Sequence, residues 1–340
     1  MTRSVSRLDR RAFLSLSAAG AATVGGGLWA GLPTAARAAE GSRVSIHGMP
    51  AAPSVVLAHA VESGALDGLV DDVDFGIWKT PDQMRAGAIS GAMEIFATPS
   101  YACANLHNRG VPVRMLNIMT WGLLYLVTTD ESITRPEDLA GRKLVLAFKD
   151  DAPDLIFRLV TTNAGMNPRE DIDITYAGTP MEVVQLLLAG RTDIAVVPEP
   201  AATAAILRGR QAGKTVHRAL DLTRELGRQT GRPPRIAQAG LGVQEDLVQR
   251  RPEVVQAFHD ACVRGGEWAN NNPASAGRLG EAYLGVKAPI IEKSIPHFRV
   301  DVTPSGEARE DIEFYLNSLM SLNPDIVAGR LPDDGYYWSA

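Results

Sequence analysis

The sequence predicts an α/β fold in two domains, each a mainly parallel sheet flanked by helices. Three observations predict it. Short apolar runs alternate with helical patterns from Arg43 onward, the signature of parallel strands joined by crossover helices. The alternation runs to Ile118 and then restarts at Leu123. The chain has 340 residues, enough for two cores of ordinary size. The composition, 45% apolar and 21% charged, is that of a globular chain.

Taken in order, Arg43–His47 reads as a strand and Pro53–Ser63 as a helix stopped by Gly64. Strand Val73–Ile77, helix Asp82–Ile89, strand Met93–Ala97, helix Ser100–Asn108 and strand Val113–Ile118 complete the first half. The second half opens with strand Leu123–Thr128 and strand Leu144–Phe148. Helix Pro153–Asn163 follows, with Leu155, Ile156, Leu159 and Val160 on one face. Pro153 suits a first helical position and Gly165 a stop. Strand Ile172–Tyr176, helix Met181–Leu188, strand Asp193–Val197 and helix Ala201–Arg208 continue the alternation. Residues 209–235 are polar, basic and Gly/Pro-bearing, and read as a linker. Ile236–Val243 reads as a returning strand. The remainder reads as helical over Glu253–Asn270, Pro273–Tyr283, Pro289–Ser294 and Ser305–Ser321.

The N-terminus carries Arg10-Arg11 followed by Phe13 and Leu14, an Ala/Gly-rich apolar stretch to Leu32, and Ala36-Arg37-Ala38. Residues 1–39 resemble a twin-arginine signal peptide, which implies a periplasmic protein. An uncleaved membrane anchor is the alternative, and the Gly/Ala content argues against it. Without 1–39, 29 basic and 38 acidic groups remain, a net charge of −9. That acidity excludes a nucleic-acid partner, which requires a basic footprint. Cys103 and Cys262 are the two cysteines. They are too few for a disulfide framework, and the spacing leaves open whether they pair.

Residues 138–208 carry Asp138-Leu139-Ala140-Gly141-Arg142-Lys143, then Ala189-Gly190-Arg191-Thr192-Asp193-Ile194-Ala195-Val196, then Pro198-Glu199-Pro200. With Met93–Ser100 before them and Leu241-Gly242-Val243 after, this order resembles the periplasmic ABC-transporter solute-binding proteins for nitrate, sulfonates, taurine and thiamine precursors. The resemblance implies a two-lobed periplasmic-binding-protein type II fold. Lobe 1 would be 43–124 plus 236–340, and lobe 2 would be 125–235. It implies a monomer that closes by hinge motion on a small organic molecule, uses no cofactor or metal, and delivers its ligand to an ABC permease and its ATPase.

In that fold the ligand sits at the carboxyl ends of the strands. Four loops then become candidates: His47, Met49 and Pro50; Thr98, Pro99 and Ser100; Lys149, Asp150 and Asp151; and Glu199 between Pro198 and Pro200. Trp121, beside the expected hinge, either stacks on a flat ligand or is buried. Ser100 and Asp151 are equally suited to capping helices. Oxyanion binders of this type usually carry Gly and Ser where this chain has Asp150 and Asp151. A free anion there would be repelled by roughly 1–4 kcal/mol per close charge. The expected ligand is therefore neutral or cationic.

Two other classes remain to be weighed. An enzyme on the same fold, resembling a pyrimidine synthase or a desulfinase, needs reactive residues in register. No Gly-x-Ser-x-Gly, His-Glu-x-x-His or phosphate-loop motif is present. A metal-binding or sensing protein would draw on His47, Met49, His59, His107, Met115 and Met119, whose spacing forms no tight motif.

Overall fold

The computed structural model describes residues 42–51, 53–298 and 300–339. The segment with the paired arginines lies outside the described residues. Among the described residues, no helix is long and apolar enough to cross a membrane.

The chain begins with β1 (Arg43–Gly48), α1 (Ser54–Glu62), β2 (Asp72–Ile77), α2 (Pro81–Ser90), β3 (Ile95–Pro99), α3 (Ser100–Asn108) and β4 (Val113–Thr120). It then crosses into β5 (Leu124–Thr128), β6 (Lys143–Ala147), α4 (Ala152–Asn163), β7 (Asp173–Ala177), α5 (Pro180–Leu188), β8 (Ile194–Pro198), α6 (Ala201–Gln211), β9 (His217–Asp221) and α7 (Leu222–Thr230). It returns through β10 (Ala239–Gln244), α8 (Glu245–Arg250), α9 (Pro252–Asn271), α10 (Pro273–Leu284), α11 (Ala288–Ser294), β11 (Val300–Pro304) and α12 (Arg309–Met320).

Two sheets result. Lobe 1 carries the order β11-β4-β10-β3-β1-β2 and lobe 2 the order β7-β6-β8-β5-β9. Both are mixed. β1, β2 and β3 are parallel, as are β6, β7 and β8. β10 runs antiparallel between β3 and β4, and β5 antiparallel between β8 and β9. Those two reversed strands follow the two crossings.

Period-2 alternation dresses both faces of the lobe 2 sheet. Leu126, Leu144, Leu146 and Val196 pack with Leu155, Ile156 and Val160 of α4 and Leu226 of α7. Val127, Val145, Ala195 and Val197 face the other way, onto Val183 and Leu187 of α5 and Ala202 and Ala205 of α6. All but Ala195 of these strand residues are Val or Leu, because both faces are covered.

Two stretches depart from the sequence reading. The supposed linker 209–235 contains β9 and α7. In it Asp221 caps α7 by accepting from the Arg224 N–H at 3.0 Å, and Leu222 and Leu226 are buried. Residues 300–304, to which the sequence assigns no element, form β11 against β4, and the helix expected from Ser305 starts at Arg309.

The crossings lie side by side. The Ile236 N–H donates to the Trp121 carbonyl at 3.0 Å, and the Gln238 N–H to the Thr120 carbonyl at 3.1 Å. Gly122 takes φ +134°, and a Cβ there would overlap Thr223. Only glycine passes both tests.

Candidate functional site

Strand register puts specific chain ends on one edge of each sheet. In lobe 1, Pro99 at the end of β3 and Thr120 at the end of β4 both oppose Ala239 at the start of β10. The carboxyl end of β1 lies alongside them. In lobe 2, Pro198 at the end of β8 opposes Leu124 at the start of β5, with the carboxyl ends of β6 and β7 on the same edge. The chain crosses between these two edges, and the loops at their strand ends meet where Tyr101 of α3 and Asp151 of α4 bond.

Two side chains meet between the strand-end loops of the two sheets. Tyr101, in the first turn of α3, donates its hydroxyl to Asp151 Oδ1. Asp151 is also the N-cap of α4, and the same oxygen accepts the Ala152 N–H at 2.7 Å. Asp150 and Phe148 hold φ of +59° and +65°. Left-handed backbone in non-glycine residues is strained, and such strain concentrates at functional sites. Here it forms the turn that aims Asp151 at lobe 1. That turn is tied by the Asp151 N–H to the Phe148 carbonyl (3.2 Å) and by the Asp150 N–H to Asp154 (2.8 Å). Asn323 Nδ2 reaches the Asp150 carbonyl at 3.4 Å from the end of α12.

Tyr101 is buried, and burial followed by the Asp151 charge holds its hydroxyl well above the ordinary tyrosine range. The same two causes raise Tyr315, on α12. Tyr315 is 1% exposed, and its hydroxyl has no hydrogen-bond partner among the described residues. No sequence signal pointed to Tyr315, because its helix reaches the cleft only through the returning half of the chain.

The remaining candidates divide by what they bond. Glu199 is buried against Arg218, whose Nε donates to it at 2.8 Å, and it accepts the Thr203 N–H at 3.0 Å. Burial raises its pKa and Arg218 pulls it back. The acidity expected from Glu199 is therefore cancelled by a cation from the stretch read as a linker. Ser100 caps nothing. Its hydroxyl donates to the Ala237 carbonyl at 2.6 Å, and its N–H to the Gln238 carbonyl at 3.1 Å. Thr98 is buried, and its hydroxyl faces the Pro99 carbonyl at 3.1 Å. Trp121 takes the buried alternative: its Nε1 donates to the Asp301 carbonyl at 2.7 Å, and Arg235 lies 4.6 Å from its ring.

His47 belongs to β1 rather than a loop. It is half-buried with Nδ1 unpaired among the described residues, and burial lowers its pKa. Met49 is buried, its carbonyl accepting from the Ser54 hydroxyl at 2.7 Å, and Pro50 is exposed. Lys149 and Asp150 line a groove of about 730 Å³ along the outer edge of β7, with Arg158, Arg169 and Tyr176. Arg158 sits 2.7 Å from Asp154 and 3.3 Å from Asp150. Of the 149–151 loop, the Asp151 side chain is the one that bonds across to lobe 1.

The histidines and methionines weighed as soft-metal ligands are dispersed. His59 stacks on Trp268 at 4.1 Å, His107 Nδ1 donates to the Val113 carbonyl at 2.8 Å, and Met115 is buried in the sheet. Among the described residues no group of three or more His, Cys, Asp or Glu is placed to hold a metal ion. Cys103 and Cys262 are both buried free thiols.

Two sheets joined by paired crossings, with loop-bearing edges turned toward each other, define the periplasmic-binding-protein fold. Solved structures bear this out. An ABC transporter from Parabacteroides distasonis superposes with a TM-score of 0.75 at 22% identity, over 88% of this chain and 99% of that one. The periplasmic aliphatic sulphonate binding protein SsuA of Escherichia coli gives 0.70 at 15% identity, over 88% and 92%. The alkanesulfonate-binding protein SsuA of Xanthomonas axonopodis pv. citri, bound to MOPS, gives 0.67 at 15% identity, over 89% and 100%. No curated protein sequence matches the chain. The family profile described as NMT1/THI5 like matches residues 88–276, and the chain belongs to the NMT1/THI5-like family.

Proposed function

We propose that this protein is the extracytoplasmic solute-binding component of an ABC importer, which closes its two lobes on a small organic molecule and presents it to a permease and its ATPase. The observation that carries the reading is the pair of mixed sheets whose strand-end loops meet, with Tyr101 of one bonded to Asp151 of the other. Binding in an interlobe cleft needs no covalent chemistry: closure buries the ligand, and a few placed polar groups select it. The neighbouring folds named for ABC transport and sulfonate binding support the same role. The paired arginines support export through a leader at 1–39 to the periplasm, and the crossings support lobes of 43–124 plus 236–340 and of 125–235.

The ligand differs in charge from those of the sulfonate-binding neighbours. Asp151, the cleft-spanning group, is a carboxylate with no salt bridge among the described residues. A bound sulfonate would face it directly, whereas a neutral or cationic organic molecule would not be opposed.

A thermal-shift screen of vitamins, amines, sulfonates and oxyanions tests the role. A ligand at one hundred times its Kd adds about 2.7 kcal/mol, a shift of roughly 4 °C for a chain of this size. Small-angle scattering should show the ligand narrowing the distribution of lobe separations. A protein that no compound stabilises, and whose dimensions none alters, is not a solute receptor.

A further inference from the structure

We infer that Asp151, Tyr101 and Tyr315 form the polar end of the cleft and receive a positively charged nitrogen of the ligand, an ammonium or a protonated N–H-bearing ring. The inference rests on the solute-binding reading above and specifies its ligand.

The argument starts from unused bonding capacity. Asp151 Oδ1 accepts twice, from Tyr101 and from the Ala152 N–H. Oδ2 accepts no hydrogen bond among the described residues. Tyr315 brings a second oxygen, buried and without a partner among the described residues, from the opposite lobe. A phenolic hydroxyl accepts as readily as it donates. A carboxylate oxygen and a phenolic oxygen on opposite walls therefore suit a donor with more than one N–H. A buried hydroxyl left unpaired costs stability, and an N–H group arriving on binding would answer it.

Charge selects the sign. The other carboxylates at this edge of lobe 2 are already answered: Glu199 by Arg218, and Asp150 and Asp154 by Arg158. Arg85, whose charge reaches Tyr101, is itself 3.1 Å from Asp82. Lys149 lies over the Tyr176 ring at 5.8 Å, on the flank groove. Asp151 is thus the carboxylate held by hydroxyl and amide dipoles instead of by a cation. The strained turn at Phe148 and Asp150 keeps it pointed into the cleft. A cationic nitrogen completes that set, and an anion meets a fixed like charge.

The test is a thermal-shift panel of matched small amines, alcohols, carboxylates and sulfonates. Binders are then titrated calorimetrically against the wild type, Asp151→Asn and Tyr315→Phe. Asparagine caps helices as well as aspartate does, so Asp151→Asn keeps α4 intact. Amines should bind, and Asp151→Asn should weaken them by at least about tenfold, abolishing the preference for amine over matching alcohol. Tyr315→Phe should weaken them several-fold while the unliganded variant melts no lower than the wild type, since the lost hydroxyl had no partner. Binding confined to carboxylates or sulfonates, alcohols that bind as tightly as amines, or amine affinity indifferent to Asp151→Asn would overturn the inference and leave the solute-binding role standing. Silence across all four classes would overturn both.

Discussion

Arg218→Ala should be the most damaging single charge deletion at the cleft edge, and its cost should depend on pH. The Glu199 side chain has no exposure, and Arg218 is 19% exposed. The guanidinium donates to Glu199 and also to the Thr203 hydroxyl at 2.6 Å. Removing it strands a buried carboxylate whose main remaining support is the Thr203 N–H. Deleting one partner of a buried pair costs about 3–5 kcal/mol. With an unfolding entropy near 2.1 cal/mol/K per residue, that lowers Tm by about 5–8 °C. The sign with pH follows from burial, which already raises the Glu199 pKa against the pull of Arg218. In the variant burial acts unopposed and the folded-state pKa rises further. A group whose folded pKa is raised favours folding below its unfolded pKa, and that contribution is lost as pH rises through the folded value. The deficit relative to wild type should therefore be largest at pH 7.5 and shrink toward pH 5. Calorimetric melts of wild type, Arg218→Ala and the double variant Glu199→Leu/Arg218→Met at both pH values decide the matter. The double variant should recover most of the loss, because apolar replacement of a whole buried pair is often neutral. An Arg218→Ala deficit equal at the two pH values, or a double variant no better than the single, would refute the assignment of the cost to a stranded Glu199.

Gly240→Ala should destabilise at or above the top of the about 1–3 kcal/mol range for overpacking, because a Cβ there overlaps the Asn117 carbonyl of β4; a variant melting like wild type would show that the β10–β4 pairing is looser than described. Arg235→Ala should cost about 1–2 kcal/mol, from the ring contact with Trp121 and a solvent-screened pair with Asp311. The same variant should enlarge the scattering radius, and unchanged melting and radius together would remove Arg235 from the hinge. Burial pushes the Cys103 thiol up to about 12 and raises Cys262 as well, so neither should react with a maleimide at pH 8 until denaturant is added. Labelling of the native protein within minutes would contradict their placement.

Much of the fold was legible because its signals are local. The helix from Ser100 to Asn108 and the strands of both sheets other than β9 and β11 announce themselves through apolar periodicity and through Gly and Pro punctuation. β9 and α7 escaped because their apolar content is thin: α7 buries Leu222 and Leu226 at a single helical spacing, and β9 carries Arg218, which becomes intelligible only beside Glu199. β11 alternates Val300 and Val302, a period-2 signal that the neighbouring helical residues obscured. The strand ends on which the candidate loops were chosen are legible, since they follow from strand order. Their division into bonded and available groups was not legible. Ser100 reads as a cap, yet it ties a helix to a crossing segment distant in sequence. Glu199 reads as an acidic ligand contact, yet it meets an arginine supplied by a later strand. Such pairings are tertiary, and Tyr315 is the extreme case, a helix residue whose meaning depends on a loop from the other lobe.

Lobe 1 is stitched from both halves of the chain, and its final stitch comes last. The Trp338 N–H bonds the Ser305 hydroxyl at 2.8 Å and the Met115 carbonyl at 3.2 Å, and Tyr336 reaches the Ser100 carbonyl at 2.9 Å. The strands of lobe 2, by contrast, run without interruption from Leu124 to Asp221. During synthesis, lobe 2 has every strand it needs well before the ribosome finishes, whereas the lobe 1 sheet waits for the closing aromatic residues to emerge. A chain emerging in order therefore completes the second sheet while β4 still lacks β10 and β11, the two strands that flank it.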